Sequence, residues 1–127
     1  MFEKLELTRM AQGLSAYAGA RLGVIARNVA NADTPGYKAQ DLPDFADSYA
    51  AGDRTAMRAT RSGHVGAPAR ETASSPIFSG GSASPNGNTV SLEMEMVKSV
   101  EARQSHDMAL AIYRATSDVI RASLGRK

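Results

Sequence analysis

Few residues in this chain of 127 have the type and spacing that chemistry needs. Asp41, Asp44 and Asp47 recur every three residues and would offer carboxylates to a divalent cation. No EF-hand spacing or histidine accompanies them, so a solvated acidic face is the better reading. Arg54, Arg58, Arg61 and His64 would form a basic stripe on a helix, open to a phosphate or a nucleic acid. Nucleic-acid binding wants a clustered basic face. Here no aromatics interleave and the other arginines are dispersed, so a solvated or subunit-facing surface is preferred. His106 has no visible partner, and Gly80-Gly81 lacks the Lys-Ser/Thr of a phosphate-binding loop. There is no nucleophile elbow. The absence of cysteine excludes disulfides, thiolate zinc sites and thiol catalysis. The reading is therefore not an enzyme, with no metal, no cofactor, no nucleic acid and no small-molecule substrate expected.

What remains is shape. Hydrophobic residues make up 43%, but much of that is alanine, with three Phe, four Tyr and no Trp. A dense centre is hard to build from such residues, and long helices packed on neighbours suit them better. Net charge is only +2. No run approaches the roughly 20 apolar residues of a membrane span. The start, Met1 to Arg9, lacks a secretory signal pattern. These features fit a cytosolic protein, and equally export by a route that reads no cleavable signal.

The first helix is expected from about Leu5 to Asn31. Leu7, Ala11, Leu14, Ala18, Leu22, Ile25 and Val29 recur at spacings of three and four and share one face. Glu3 and Glu6 suit its N-terminal dipole. Gly19 and Gly23 form a GxxxG pair inside it, each costing up to about 1 kcal/mol against Ala. Close approach by another helix and simple tolerance of Gly both remain open.

The stretch Asn28-Val-Ala-Asn-Ala-Asp-Thr-Pro-Gly-Tyr37 ends this helix and organises the rest. Pro35 pushes Thr34 out of the α region. Thr34-Pro35-Gly36-Tyr37 reads as a type II turn, with Pro presetting φ and Gly taking the positive φ. Asn31 can cap the helix or take a left-handed conformation.

Residues 38–43 then leave the corner extended. A short helix is expected over 41–52, with Pro43 in its first turn, Asp44 at its N-terminal dipole, Gly52 ending it, and Phe45 and Tyr49 facing the same way. Residues 66–88 are rich in Gly, Ser, Pro and Ala and read as a linker or a small irregular hairpin around Ile77-Phe78, flexible unless neighbours order it. Asn86-Gly87 is a turn signal. Asn88 or Thr89 is expected to cap the last helix, from about Val90 to Leu124. Val90, Met94, Val97, Met108, Ile112, Ala115, Val119 and Ala122 trace its apolar seam, close to a heptad. Glu101 and Gln104 interrupt it, marking a change of packing partner or an exposed turn.

The expected fold is mainly α. Long N- and C-terminal helices pack as a coiled-coil-like hairpin or bundle, with a short helix and an irregular Gly/Ser/Pro-rich middle. One domain is expected over 1–127: an N-terminal helix (1–31), a turn motif, short helix and loop (32–88), and a C-terminal helix (89–127). A two-helix hairpin leaves apolar faces uncovered, and bundles bury such faces by adding helices. Other copies would have to supply them, and head-to-tail association that fails to close makes a filament.

The stretch 28–37 closely resembles the signature of the flagellar rod, hook and hook-associated axial proteins. Asn86-Gly-Asn-Thr-Val-Ser-Leu-Glu-Met-Glu-Met96 is similar to the opening of their C-terminal helix, and Met57 to Val65 loosely resembles a Thr/His segment of proximal rod subunits. The chain looks most like those proximal rod subunits, with the sister small rod protein as the alternative. A small helical adaptor or export chaperone is the alternative from another class.

The resemblance implies a structural subunit of the periplasmic drive shaft of the flagellar basal body, exported without a cleavable signal peptide. Such a subunit would transmit torque and surround the export channel. Its partners would be copies of itself, other rod proteins, the rod-to-ring adaptor, the membrane ring and the export gate. Asn28, Asn31, Thr34, Pro35, Gly36 and Tyr37 would fix how the middle segment leaves the helix and touches neighbours. Leu7, Leu14, Leu22, Ile25, Val29, Val97, Met108, Ile112 and Val119 would hold the helices together, within the chain or between chains.

Overall fold

The computed structural model describes residues 2–53 and 75–125. The expected basic stripe at Arg54, Arg58, Arg61 and His64, and the segment Met57 to Val65, lie outside the described residues.

Among the described residues, three helices and a two-stranded ladder make the fold: α1 (Phe2–Ala30), β1 (Gln40–Asp41), α2 (Phe45–Asp53), β2 (Ile77–Phe78) and α3 (Leu92–Ser123). It is mainly helical, and the long terminal helices pack against each other. They run antiparallel, because Asn28 meets Glu95 while the earlier Arg21 meets the later Glu101.

The hairpin is held by small side chains. α3 buries Glu95, Ala102, Ala109 and Thr116, each seven residues after the last. α1 buries Ala11, Ala18 and Ile25 at the same interval. A seven-residue repeat matches 3.5 residues per turn and keeps a seam between two helices facing inward. Alanine lets the axes approach toward the short end of the roughly 8–10 Å range for packed helices. On the other flank of α1, Tyr17, Val24 and Leu42 are buried together, with Leu14 and Phe45 against them. The Tyr17 and Phe45 rings lie 5.6 Å apart and the Phe45 and Tyr49 rings 5.4 Å, so α2 docks through aromatics.

The local signals explain most boundaries, with two corrections. α2 starts later than expected, at Phe45: Ser48 N–H donates to the Asp44 carbonyl at 3.0 Å, so Asp44 caps the helix and Pro43 lies outside it. The helix continues through Gly52 to Asp53. Asp41 is thus a strand residue, off any shared face with Asp44 and Asp47.

The cap of α3 is Ser91, whose Oγ accepts Met94 N–H, not Asn88 or Thr89. Both of those side chains are committed elsewhere: Thr89 Oγ1 accepts Ala39 N–H at 2.9 Å, and Asn88 serves the corner. At its other end α3 stops where Gly125 takes φ +68°.

Residues 75–88 are more ordered than a linker. β2 pairs antiparallel with β1, Gln40 opposite Phe78 and Asp41 opposite Ile77. Ser79 N–H donates to Ala39 O at 2.9 Å, and Ser84 N–H to Asn88 O at 2.8 Å. Asn86-Gly87 does turn the chain, with Gly87 at φ +81°.

Candidate functional site

The corner begins as a helix end. Asn31 N–H closes the last turn on Arg27 O, and its side-chain Nδ2 donates to the same carbonyl at 2.8 Å. Asn31 therefore caps the helix and does not take a left-handed conformation, since only glycines have positive φ among the described residues. Thr34 Oγ1 donates to Asn31 Oδ1 at 3.3 Å. Tyr37 N–H then donates to Thr34 O at 3.3 Å across Pro35 and Gly36, with Gly36 at φ +73°. That is the geometry of the expected type II turn.

Two buried asparagines lock this turn to the rest of the chain. Asn28 is fully buried and all its hydrogen-bonding capacity is used. Its Oδ1 accepts Gln40 N–H at 3.1 Å and Tyr37 O–H at 3.3 Å. Its Nδ2 donates to Gln40 O at 2.7 Å and to Glu95 Oε2 at 3.0 Å. One side chain thus pairs both main-chain groups of Gln40 and reaches the first turn of α3. A buried amide costs several kcal/mol unless paired, so only a side chain with two donors and two acceptor lone pairs suits this place.

Asn88 does the matching work from the far side. Its Nδ2 lies 2.7–2.9 Å from the carbonyls of Asn31, Ala32 and Thr34, groups left open where α1 ends. Its Oδ1 accepts Val90 N–H at 2.8 Å. Gly36 N–H donates to Asn86 O at 3.0 Å, and Thr89 N–H to Tyr37 O at 3.0 Å. The corner and the entry to α3 are therefore one hydrogen-bonded unit.

An ion chain extends the unit outward. The Glu95 carboxylate, 2% exposed as a residue, takes Lys98 Nζ at 3.1 Å. Lys98 also lies 3.3 Å from Asp41 Oδ2. Asp41 receives Arg21 Nε at 3.0 Å, Arg21 Nη2 at 3.3 Å and Leu42 N–H at 2.8 Å. Two cations thus balance two carboxylates. Burial alone would push the Asp41 carboxyl up, but the Arg21 hydrogen bonds, the Leu42 N–H and the charges of Arg21 and Lys98 together hold it below the ordinary value. The hydrogen bond to Asp41 raises Arg21 against the opposing effect of burial. Burial is the main cause that raises Tyr17, whose hydroxyl donates to Pro43 O at 2.7 Å.

The residues singled out by sequence divide by position. Asn28 is buried, Asn31 and Tyr37 are half-buried, and Thr34, Pro35 and Gly36 are exposed at the turn. Among the apolar residues, Ile25 is buried, and Leu14, Leu22 and Ile112 are half-buried. Leu7, Val29, Val97, Met108 and Val119 are exposed. Sequence reasoning missed Asn88, Glu95, Lys98, Arg21 and Asp41 as members of the corner. The signal was the seven-residue step back from Thr116, Ala109 and Ala102, which lands on Glu95.

The site's ionisable groups are paired with one another, and no cluster of three or more His, Cys, Asp or Glu fit for a metal occurs among the described residues. No helix among the described residues is long and apolar enough to cross a membrane. What the site does is fix the angle between a helix end, a strand and a second helix.

The segment that forms the turn of this corner is similar in sequence to known proteins. The family model described as "Flagella basal body rod protein" matches residues 12–38, the second half of α1 and the whole turn. The chain is also 25% identical over 118 residues to the flagellar basal body rod protein FlgB of Agrobacterium fabrum (strain C58 / ATCC 33970), covering 89% of this chain and 88% of that one. With a corner whose two asparagines tie the matched segment to the C-terminal helix, the chain is similar to the flagellar basal body rod proteins.

Proposed function

We propose that this chain is a subunit of the proximal rod, a FlgB-type protein that assembles through its terminal helices into the periplasmic drive shaft. The tube it helps to form transmits torque and surrounds the export channel. Its neighbours are copies of itself, other rod proteins, the rod-to-ring adaptor, the membrane ring and the export gate. It reaches them by flagellar export. Its work is structural.

One observation carries this reading. The hairpin closes on alanines, while Val97, Val100, Met108 and Val119 stand about half exposed or more on α3. Exposed apolar residues recurring along one helix face in this way, interrupted only at Glu101 and Gln104, mark an association surface. The resemblance along nearly the whole chain to a rod protein named FlgB supports the proximal position.

The test is fractionation. An epitope-tagged copy that restores swimming to a strain lacking the chain should co-purify with basal bodies. Recovery with a membrane or cytosolic fraction alone, or normal swimming without the chain, would overturn the proposal.

A further inference from the structure

The two sides of α3 follow different periods. The side facing α1 steps by seven through Glu95, Ala102, Ala109 and Thr116. The opposite side steps by eleven: Val97, Met108 and Val119 form one series, and Val100, Ala111 and Ala122 another. All six are exposed. A seven-residue repeat coils to the left, whereas an eleven-residue repeat, at about 3.67 residues per turn, runs slightly to the right. The outer row therefore suits a partner other than α1, lying nearly parallel to the hairpin and not wrapping it.

We propose that this outer face of α3 docks on the outer face of α1 of a second copy, side by side and head to tail. The inference rests on the assembly reading above and names the two faces that meet. α1 turns Ala16, Gly19, Ala20 and Gly23 away from its own hairpin, and all are exposed. A Cβ added at Gly19 or Gly23 would meet nothing within 4 Å, so the fold of the single chain does not require either glycine. A row of Val and Met against a row of Gly and Ala is a fit of ridge to groove, and the two rows lie on opposite edges of one hairpin. Such a contact is heterologous and continues from copy to copy.

Area and charge favour this occupant. The strip from Val97 to Ala122 is about 38 Å long and about 10 Å wide at helix dimensions, roughly 400 Å². That is about half of the roughly 800 Å² per partner of a stable interface. One such contact makes a weak dimer. A subunit in a row makes two, one through each edge, and so buries about 800 Å² in all, although each contact alone stays small. α1 carries no acid from Leu7 to Ala30 and exposes Arg9 and Arg27, whereas Asp107 and Asp118, eleven apart, are exposed beside the α3 row. Among the described residues the ion pairs of these charges are loose surface ones: Arg9 with Glu6 at 3.5 Å, Asp107 with His106 at 3.8 Å and Asp118 with Arg121 at 3.7 Å.

The chain has no cysteine, so introduced ones report alone. Met108→Cys is combined in one full-length chain with Gln12→Cys, Ala16→Cys, Ala20→Cys or Arg27→Cys in turn, expressed in swimming cells and oxidised, and basal bodies are isolated. The expected result is a ladder of dimers, trimers and higher species from at least one double variant, and monomer from each single variant. A dimer from Met108→Cys alone, stopping at two, would mean that α3 meets α3 and would overturn the inference. Incorporation without any cross-link would overturn it too. Absence of the wild-type chain from basal bodies would instead overturn the assembly reading, and the inference with it.

Discussion

The side-chain amide of Asn28 donates to the carboxylate of Glu95 at 3.0 Å across 67 residues of chain. Both are buried, and the same amide holds both main-chain groups of Gln40. Asn28→Ala removes these partners at once. Each buried group left unpaired costs about 1–3 kcal/mol, so a loss of about 2–4 kcal/mol is expected in a urea titration followed by circular dichroism. Asn28→Asp, which sets a second carboxylate against Glu95, should be worse at pH 7. A variant with an unchanged midpoint would show that the corner does not hold the hairpin.

Asn88 separates two roles that the same substitution would blur. Asn88→Asp keeps the oxygen that accepts Val90 N–H and loses the donors to Asn31, Ala32 and Thr34. Asn88→Ala loses both. Amide hydrogen exchange should therefore accelerate at Gly36 in both variants, because the turn is no longer tied down. At Val90 the acceleration should be large only in Asn88→Ala. Equal protection of Gly36 in wild type and both variants would contradict this.

Gly36 sits at φ +73° with open space where a Cβ would lie. The penalty of substitution there is backbone strain alone. Gly36→Asn should be tolerated best, Gly36→Ala should cost about 1–2 kcal/mol, and the β-branched Gly36→Val more. Swimming in soft agar should fall in that order at equal expression. Normal swimming in Gly36→Val would mean that the turn direction is unimportant.

The seam and the outer face of α3 can be changed independently. Ala109 is completely buried. Ala109→Leu overfills the closest approach of the helices and should cost about 1–3 kcal/mol. Met108→Ser, on the exposed side, should leave the denaturation midpoint of the isolated chain within about 0.5 kcal/mol while reducing incorporation into basal bodies. The reverse pattern would mean that the two sides have been exchanged.

Acid should loosen the corner. The Asp41 carboxyl is held below its ordinary value, so the stability it contributes is fully present above the unfolded value of about 3.9. It is lost as pH falls from there through the folded value. Asp41→Asn should flatten this part of the pH dependence, below the unfolded value. An identical acid profile in the variant would assign the dependence to other groups.

How much was legible in the sequence follows from what each feature depends on. The two long helices and the corner rest on local signals, namely periodicity, Pro35 and Gly36, and these read correctly. The cap at Ser91 did not, because Asn88 and Thr89 are equally good caps until the corner claims them. The buried row of α3 was hidden because alanine looks like filler beside Val and Met, and the larger residues drew the eye to the other side. Glu95 stands among Glu-Met-Glu-Met as one acid of two in a first turn, and only the approach of Asn28 distinguishes it from Glu93. Asp41 looked like part of an acidic face because the start of α2 was set too early by Pro43.

The central claim is that the single chain is incomplete, with its larger apolar residues left for neighbouring subunits. Sedimentation velocity with a thermal melt on the purified full-length chain tests it most directly. The expected result is a monomer, partly helical, with a broad melt, since helices that bury mainly alanine are marginal alone. A compact dimer or bundle that melts in one sharp cooperative step would contradict it.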